Sequence, residues 1–374
     1  MSLFSFFHFF SIYEGPFEKK VDRFLSQIKQ KTKLDWEKLM QEDLVRLTIF
    51  LEYKFKGYKK LKRGYRKKLY TNAHLIQQDF QDFFEHLNIP SNLVASVSTE
   101  LLHDERFLYL ASIMAYLKPG EKLIYRESSN FEKLLRNPSV EKLVGDCNQI
   151  VTLYIYLYSL RYSVSDLQIK ILPGHVCLHY RGVDIETTAG RLTEYEEYTF
   201  LSPVTEILAA NLLDVSDPDE KQFSIHPHNV LQSAELALEL SSHRPTVEKN
   251  LWIAYHNLAI FYAHKHQFEK AIFYANKSGD TKLQTKLAHD FGVYDLKNKK
   301  YDKAREQFRK IGDLSSEKAC DQTELSDLLK KMEGFKTVDQ YKKQKSNLKR
   351  IKILASKLQE QKVVDFVDGL FKKF

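Results

Sequence analysis

The sequence predicts an α+β protein with helices at both ends and a small mixed core that contains an antiparallel sheet. Three observations lead to this prediction. Apolar residues recur at helical spacing up to about residue 118, two alternating segments joined by a tight turn follow, and a 33-residue repeat fills the last third. With 374 residues the chain is long enough for two or three domains, and we predict the ranges 1–118, 119–222 and 223–374.

The N-terminal region is predicted to be helical. Apolar residues lie at helical spacing in Leu34 to Tyr53, Asn72 to Leu87 and Asn92 to Leu117, and Pro90 and Pro119 interrupt the pattern. The first ten residues, MSLFSFFHFF, are apolar but lack the basic start of a signal peptide, so we expect them to dock on the body of the protein. No stretch reaches the roughly 18 apolar residues of a membrane span.

A basic segment, Lys54 to Tyr70, separates the first two predicted helices. Nine lysines and arginines are interleaved there with the aromatic residues Phe55, Tyr58, Tyr65 and Tyr70. Basic side chains neutralise phosphates and aromatic rings stack on bases, so the segment is a candidate for binding nucleic acid or an anionic surface. A solvated basic face with its aromatic rings turned inward has the same composition, and glycines interrupt any continuous binding helix.

Charge and cysteine content indicate the kind of partner and the redox compartment that suit the protein. The formal net charge of +8 suits an acidic partner, but the charged residues of both signs are mixed along the chain. Cys147, Cys177 and Cys320 are too few and too scattered for a disulfide framework. We therefore predict a reducing, cytoplasmic location.

The middle range begins its regular structure with a helix at Cys147. Gly145 and Asp146 form a break and an N-cap before the apolar run CNQIVTLYIYLYSLRY, so Cys147 is expected in the first helical turn. The N-terminus of a helix stabilises negative charge, so this position favours the thiolate form of Cys147.

A β-hairpin is predicted after this helix. Gly174 to Tyr180 alternates polar and apolar residues, Arg181-Gly182 fits a two-residue turn, and Val183 to Thr188 alternates again as the return strand. Tyr180 should then oppose Val183 across the hairpin. One face of the hairpin is polar and the other is apolar.

The polar face of the hairpin gathers groups that can act on a thiol. His175, Cys177 and His179 share this face on the first strand, and Asp184 and Glu186 join them from the second. His179 is expected opposite Asp184 and Cys177 opposite Glu186. The long side chain of Glu186 reaches the diagonal position of His175.

Cys147, His175 and an acid together make a candidate catalytic triad. A thiolate nucleophile needs an imidazole as its proton partner, and the imidazole needs a carboxylate that holds its tautomer. We rank Glu186 ahead of Asp184 for this role, and both stay open. A zinc or iron site on the same face is the competing hypothesis, but His175 and His179 are about 13 Å apart along a strand, so we predict no metal and no cofactor.

These segments resemble the core of the transglutaminase-like superfamily, a papain-like cysteine fold. The stretches GDCNQIVTLYIYLYSL and ILPGHVCLHYRGVDIETTAG resemble its Gly-x-Cys at a helix start, its Gly-His-Val on a strand, and its Asp-Pro-Thr-like element on the next strand. Glu186 stands where the family has Asp, and the resemblance covers about 80 residues. It implies acyl transfer by Cys147 on a peptide or side-chain amide, with the oxyanion near the backbone N–H of Cys147 and with water as the default acceptor.

The last third contains a repeat at an offset of 33 residues. His256 to Ser278 aligns without a gap on His289 to Ile311. Small residues recur at equivalent positions, where helices can approach closely. The pattern resembles the tetratricopeptide repeat, whose arrays bind peptides or partner proteins. Partner binding and bracing of the middle range both remain open for this array.

The functional prediction is a transglutaminase-like cysteine hydrolase or acyltransferase with a helical-repeat domain for a protein partner. The substrate is expected to be a protein or peptide. The alternative is a non-catalytic scaffold for protein–protein interaction, in which the transglutaminase-like core is inert and Cys147 is an ordinary structural thiol. A third hypothesis assigns the basic segment to nucleic acid.

Overall fold

The computed structural model describes residues 11–86, 98–128, 130–195, 200–215 and 225–373. Helices and a five-stranded antiparallel sheet occur together within these ranges, which confirms the α+β class at this coarse level. The chain divides into two compact units, Met1–Ala254 (unit 1) and Tyr255–Phe374 (unit 2). The predicted docking of the first ten residues lies outside the described residues.

Unit 1 begins with helices in the predicted places. The helices of its described residues up to Tyr116 are α1 (Pro16–Ser26), α2 (Lys33–Leu51), α3 (Arg63–Glu85), α4 (Thr99–Leu102) and α5 (Glu105–Tyr116). A capping box between Thr32 and Asp35 starts α2. Helix α3 begins nine residues before the predicted Asn72 and includes Gly64, because the basic residues around that glycine are good helix formers. The start of the helix predicted from Asn92 lies outside the described residues.

The basic segment folds largely onto unit 1. Tyr58 and Tyr70 are buried, as is the guanidinium of Arg66, which forms a two-bonded ion pair with Glu18 at 2.7 and 2.8 Å. Acidic partners are also present for three lysines, in the pairs Lys54–Asp22, Lys56–Glu52 and Lys60–Glu132. Much of the positive charge of the segment is thus neutralised within the fold, and binding of nucleic acid stays a prediction.

Helix α6 (Cys147–Ser159) lies at the centre of unit 1. Ten consecutive residues, from Gln149 to Tyr158, are buried, and the helix packs against both α2 and strand β4. A helix that is buried on all sides has no freedom to rotate or slide. Its first residue, Cys147, is therefore held in a fixed position.

Two sheets surround this helix. The strands are β1 (Leu123–Tyr125), β2 (Leu143–Gly145), β3 (Gln168–Leu172), β4 (His175–Tyr180), β5 (Val183–Glu186), β6 (Arg191–Thr193) and β7 (Phe200–Pro203). Strands β1 and β2 form a short parallel pair that leads directly into α6. The other five form an antiparallel sheet in the order β6-β5-β4-β3-β7, which is the sheet that carries the predicted hairpin.

The β4–β5 hairpin has the predicted register and turn. Tyr180 pairs with Val183 and His179 pairs with Asp184. Both loop residues have positive φ, 45° at Arg181 and 84° at Gly182, as a type I′ turn requires. The apolar face of the hairpin, including Val176, Leu178 and Ile185, joins the core of unit 1 and leaves the polar face for the site.

Three further helices follow the sheet: α7 (Glu206–Leu213), α8 (Pro227–Leu240) and α9 (Arg244–His264). Leu236 and Leu240 of α8 belong to the core of unit 1, and the division between the two units falls inside α9. Unit 2 continues with α10 (Phe268–Ser278), α11 (Thr281–Lys297), α12 (Tyr301–Lys310), α13 (Leu314–Lys330), α14 (Val338–Lys342), α15 (Lys345–Leu358) and α16 (Gln361–Phe371).

The 33-residue repeat is visible in the turns of unit 2. His266 and Lys299, which are 33 residues apart, both adopt positive φ (56° and 60°) between paired helices. Gly279 and Gly312 are likewise equivalent, and both have a φ of 71° after the second helix of each pair. Closely matching φ angles at the repeat offset support the structural equivalence of the two helix pairs.

Ion pairs and small residues follow the same offset. His256 lies 3.2 Å from Asp280, and the equivalent His289 lies 3.7 Å from Asp313. A Cβ atom at Gly292 would lie only 2.7 Å from the ring of Phe308, so glycine is required where α11 and α12 cross.

In the part of the chain that the structure describes, no helix is long and apolar enough to cross a membrane.

Candidate active site

Cys147 is held at the start of α6 by its neighbours in sequence. The Asp146 carboxylate accepts a hydrogen bond from the backbone N–H of Gln149 at 3.0 Å and caps the helix. The Gln149 amide in turn donates to the carbonyl oxygens of Ser128 and Asn130 at 2.9 and 2.8 Å. Cys147 itself is partly exposed.

His175 interacts with both Cys147 and Glu186. Its Nε2 lies 2.7 Å from Oε2 of Glu186. Because Nε2 is occupied by this carboxylate, Nδ1 is the ring nitrogen left for the hydrogen bond to Cys147. The hydrogen bonds to Cys147 and then Glu186 outweigh partial burial and raise the pKa of His175 to about 10. At neutral pH the ring is therefore an imidazolium, in which both nitrogens are hydrogen-bond donors.

Glu186 is fixed by donors on both of its oxygens. Oε1 accepts from the backbone N–H of Thr188 at 3.0 Å and from its hydroxyl at 2.6 Å. Oε2 accepts from the Tyr195 hydroxyl at 2.5 Å, besides the bond to His175. Burial opposes ionisation, but the hydrogen bonds from His175, Thr188 and Tyr195 lower the pKa of Glu186 to about 2. The carboxylate stays charged at every physiological pH.

Asp184, the other candidate acid, has different partners. Its Oδ1 lies 2.7 Å from Nδ1 of His179, and its Oδ2 accepts from Lys170 Nζ at 2.5 Å and from the backbone N–H of Tyr195 at 3.0 Å. Both oxygens of Asp184 are therefore occupied by groups other than His175. The acid in contact with His175 is Glu186.

The three cysteines lie in different environments. Cys177 and Cys320 are fully buried, whereas Cys147 is partly exposed. Burial, together with nearby carboxylates, raises the pKa of Cys177 to about 12 and that of Cys320 to about 11. Both therefore remain thiols at neutral pH, and neither is a candidate nucleophile.

A carboxyl pair lies directly behind the nucleophile. Burial and the neighbouring Asp214 carboxylate raise the pKa of Asp146 to about 8. The two groups are also hydrogen-bonded, which requires that they share a proton. The N-cap of α6 therefore binds a proton more tightly than an ordinary aspartate does, and this limits the negative charge beside Cys147.

Two tyrosines of the site were not found from the sequence. Tyr195 follows β6 in irregular structure, so no periodicity marks its side chain as facing Glu186. Tyr125 pairs with Gly145, two residues before Cys147, and its half-exposed hydroxyl has no hydrogen-bond partner among the described residues. Partial burial and the negative charge of Cys147 raise the pKa of Tyr125, so it is a hydrogen-bond donor at neutral pH.

The arrangement as a whole is a thiol, an imidazole and an acid in the order that nucleophilic catalysis requires. Across the described ranges, no group of three or more His, Cys, Asp or Glu side chains is placed to hold a metal ion. Comparison of the chain with protein-family models, with curated proteins and with solved structures finds no significant match in any of the three. The functional assignment below therefore depends on the geometry of the site.

Proposed function

We propose that the chain is a transglutaminase-like cysteine hydrolase or acyltransferase that acts on a peptide or side-chain amide. One observation carries the proposal: the His175 ring binds a buried carboxylate through Nε2 at 2.7 Å and interacts with a partly exposed thiol at a helix N-terminus, which raises the pKa of the ring. A cysteine or histidine that only stabilises the fold does not require this combination of thiol, imidazole and carboxylate. The order of a central helix followed by an antiparallel sheet supports a papain-like core.

In the first half of the reaction the Cys147 thiolate attacks the carbonyl carbon of the substrate. A C–S bond forms while the π electrons of the carbonyl move onto its oxygen. The backbone N–H of Cys147, which has no acceptor within the helix, is one donor to this oxyanion. The Tyr125 hydroxyl is our candidate for the second donor.

In the second half the oxyanion collapses and the C–N bond breaks. His175 gives its Nδ1 proton to the leaving nitrogen, so a neutral amine departs and a thioester remains on Cys147. Water then attacks the thioester, His175 accepts the proton of the water, and the thiolate leaves. Glu186 keeps the imidazole oriented through both steps.

The helical repeats of unit 2 support a second part of the proposal. Two equivalent helix pairs at a 33-residue offset form an array of the tetratricopeptide kind, which we propose binds a protein or peptide partner. A free thiolate nucleophile also fits a reducing cytoplasmic setting.

An activated ester tests the chemistry without a known substrate. We expect p-nitrophenyl acetate to acetylate Cys147, with one rapid release of p-nitrophenolate per chain. Cys147→Ala should abolish this burst, and Cys320→Ala, a matched control at a buried thiol, should keep it. His175→Ala should slow acylation by about 100-fold or more, because the thiolate loses its partner.

Tyr125→Phe adds a test of the oxyanion. Removal of one oxyanion donor costs about 100-fold in acylation rate. A wild-type chain that shows no burst, or a burst that survives Cys147→Ala, would favour the non-catalytic scaffold instead.

A further inference from the structure

We propose that Tyr195 is a positioning residue that locks Glu186 against His175, and that the buried Lys170–Asp184 ion pair holds Tyr195 in place. The inference rests on the proposed function of Cys147, His175 and Glu186. The inference assigns Asp184, which does not contact His175, an indirect role in the same site.

The need for such a lock comes from the length of a glutamate side chain. Glu186 has three rotatable bonds between its backbone and its carboxylate, so many rotamers compete with the one that reaches His175. Tyr195 Oη donates to the same oxygen, Oε2, that His175 contacts, at 2.5 Å. Thr188 occupies the other oxygen. With both oxygens held, the carboxylate stays in the orientation that fixes the imidazole.

Tyr195 itself lies outside any strand, so its position depends on other contacts. Its backbone N–H donates to Asp184 Oδ2 at 3.0 Å, and its carbonyl oxygen accepts from Lys170 Nζ at 3.1 Å. Lys170 and Asp184 are 2.5 Å apart and almost fully buried between β3 and β5. A continuous set of hydrogen bonds therefore runs from this ion pair through Tyr195 and Glu186 to His175.

Other ionisable groups face Glu186 without holding it. Tyr154 of α6 and Cys177 of β4 both interact with its charge, but neither donates a hydrogen bond to it among the contacts of the described residues. The Tyr154 hydroxyl is buried with no partner there. On the far side of Asp184, His179 binds Oδ1. Tyr195 and Thr188 are thus the groups that restrain the catalytic acid.

The test compares Tyr195→Phe with a matched control, Tyr180→Phe. Tyr180 also donates to a carboxylate, Asp104 Oδ2 at 2.7 Å, but from the apolar face of the same sheet. Two readouts are taken from each full-length variant: the pKa of His175 from an NMR titration of its ring nitrogens, and the rate at which iodoacetamide alkylates Cys147 near pH 6. Thermal melting reports on any general loss of structure.

We expect Tyr195→Phe to lower the pKa of His175 by about one unit and to slow alkylation of Cys147 about tenfold, as for the loss of one hydrogen bond to a charged group. Tyr180→Phe should change neither value, even if both variants melt at the same reduced temperature. If Tyr195→Phe leaves the His175 titration and the alkylation rate at wild-type values, Tyr195 is only structural and the proposal is wrong.

A double-mutant cycle tests the role of the ion pair. Asp184→Asn should slow alkylation in the same direction, and adding it to Tyr195→Phe should cause no further loss, because both act through one hydroxyl. Lys170→Met replaces Asp184→Asn if that variant does not fold. If the two losses in alkylation rate add in the double variant, the proposed role of the Lys170–Asp184 ion pair is wrong. If His175 of the wild type titrates near 6.5 and His175→Ala alkylates equally fast, the proposed function itself fails, and the lock with it.

Discussion

At the scale of single residues, the chemistry depends on which partner each polar group on one face of the hairpin binds. Both oxygens of Asp184 are occupied by His179, Lys170 and Tyr195, whereas Oε2 of Glu186 contacts His175 and also accepts from the Tyr195 hydroxyl. The alternation of the strands and the tight turn place both acids correctly from sequence alone. The choice between them depends on lysine and tyrosine contacts from other strands, and no local pattern encodes those.

Asp146 leads to a prediction about stability and pH. Its pKa of about 8 is above the ordinary value of 3.8, so the folded state binds the proton more tightly than the unfolded state. This contribution to stability is complete below about pH 4 and is lost as the pH rises through 8. Asn has the shape of the protonated acid and no charge. Asp146→Asn should therefore lose less stability than the wild type between about pH 5 and pH 8.5, as measured by urea unfolding.

The matched control for Asp146 is Asp35, the exposed acid of the capping box that starts α2. Hydrogen bonds from Thr32 lower the pKa of Asp35, so its contribution is lost when the pH falls rather than when it rises. Asp35→Asn should leave the slope between pH 5 and pH 8.5 at its wild-type value. Equal slopes for the wild type and Asp146→Asn would contradict a shared proton at the cap of α6.

At the scale of elements, prediction succeeds where neighbours in sequence determine the structure. Helix α6 and the β4–β5 hairpin were predicted because a cap, an apolar run, strict alternation and a two-residue turn are local signals. The parallel β1–β2 pair and the outer strands β6 and β7 were not predicted. Each has three or four residues, too few for a period to show, and the partners in the β1–β2 and β3–β7 pairs are also distant in sequence.

Two glycines inside helices of unit 2 give an element-scale prediction. A Cβ at Gly292 would meet the Phe308 ring at 2.7 Å, whereas one at Gly369 in α16 would meet nothing within 4 Å. Gly292→Ala should lower the free energy of unfolding by about 1–2 kcal/mol through overpacking. Gly369→Ala should raise it by up to about 1 kcal/mol through helix propensity. Urea unfolding followed by circular dichroism measures both, and an equal gain in the two variants would exclude a tight crossing of α11 and α12.

At the scale of the whole molecule, the chemistry and the repeats belong to different compact units. Cys147, His175, Glu186 and the groups that donate to them all lie in unit 1, and the repeated segments, residues 256–278 and 289–311, lie in unit 2. The sequence predicts this separation because a 33-residue period and an alternating hairpin are distinct signals. The partner that we propose for the array is not encoded in its periodicity, since the repeat specifies only the fold of each helix pair.

Alkylation of each cysteine by iodoacetamide from about pH 4 to about pH 10 tests the central claim most directly. Mass spectrometry follows Cys147, Cys177 and Cys320 separately in the wild type and in His175→Ala, with Gly292→Ala as a control in the other unit. We predict that Cys147 alone reacts fast below pH 7, that His175→Ala removes this advantage, and that Gly292→Ala keeps it. A Cys147 that reacts at the same rate with and without His175 would contradict a thiolate–imidazolium pair and with it the proposed enzyme.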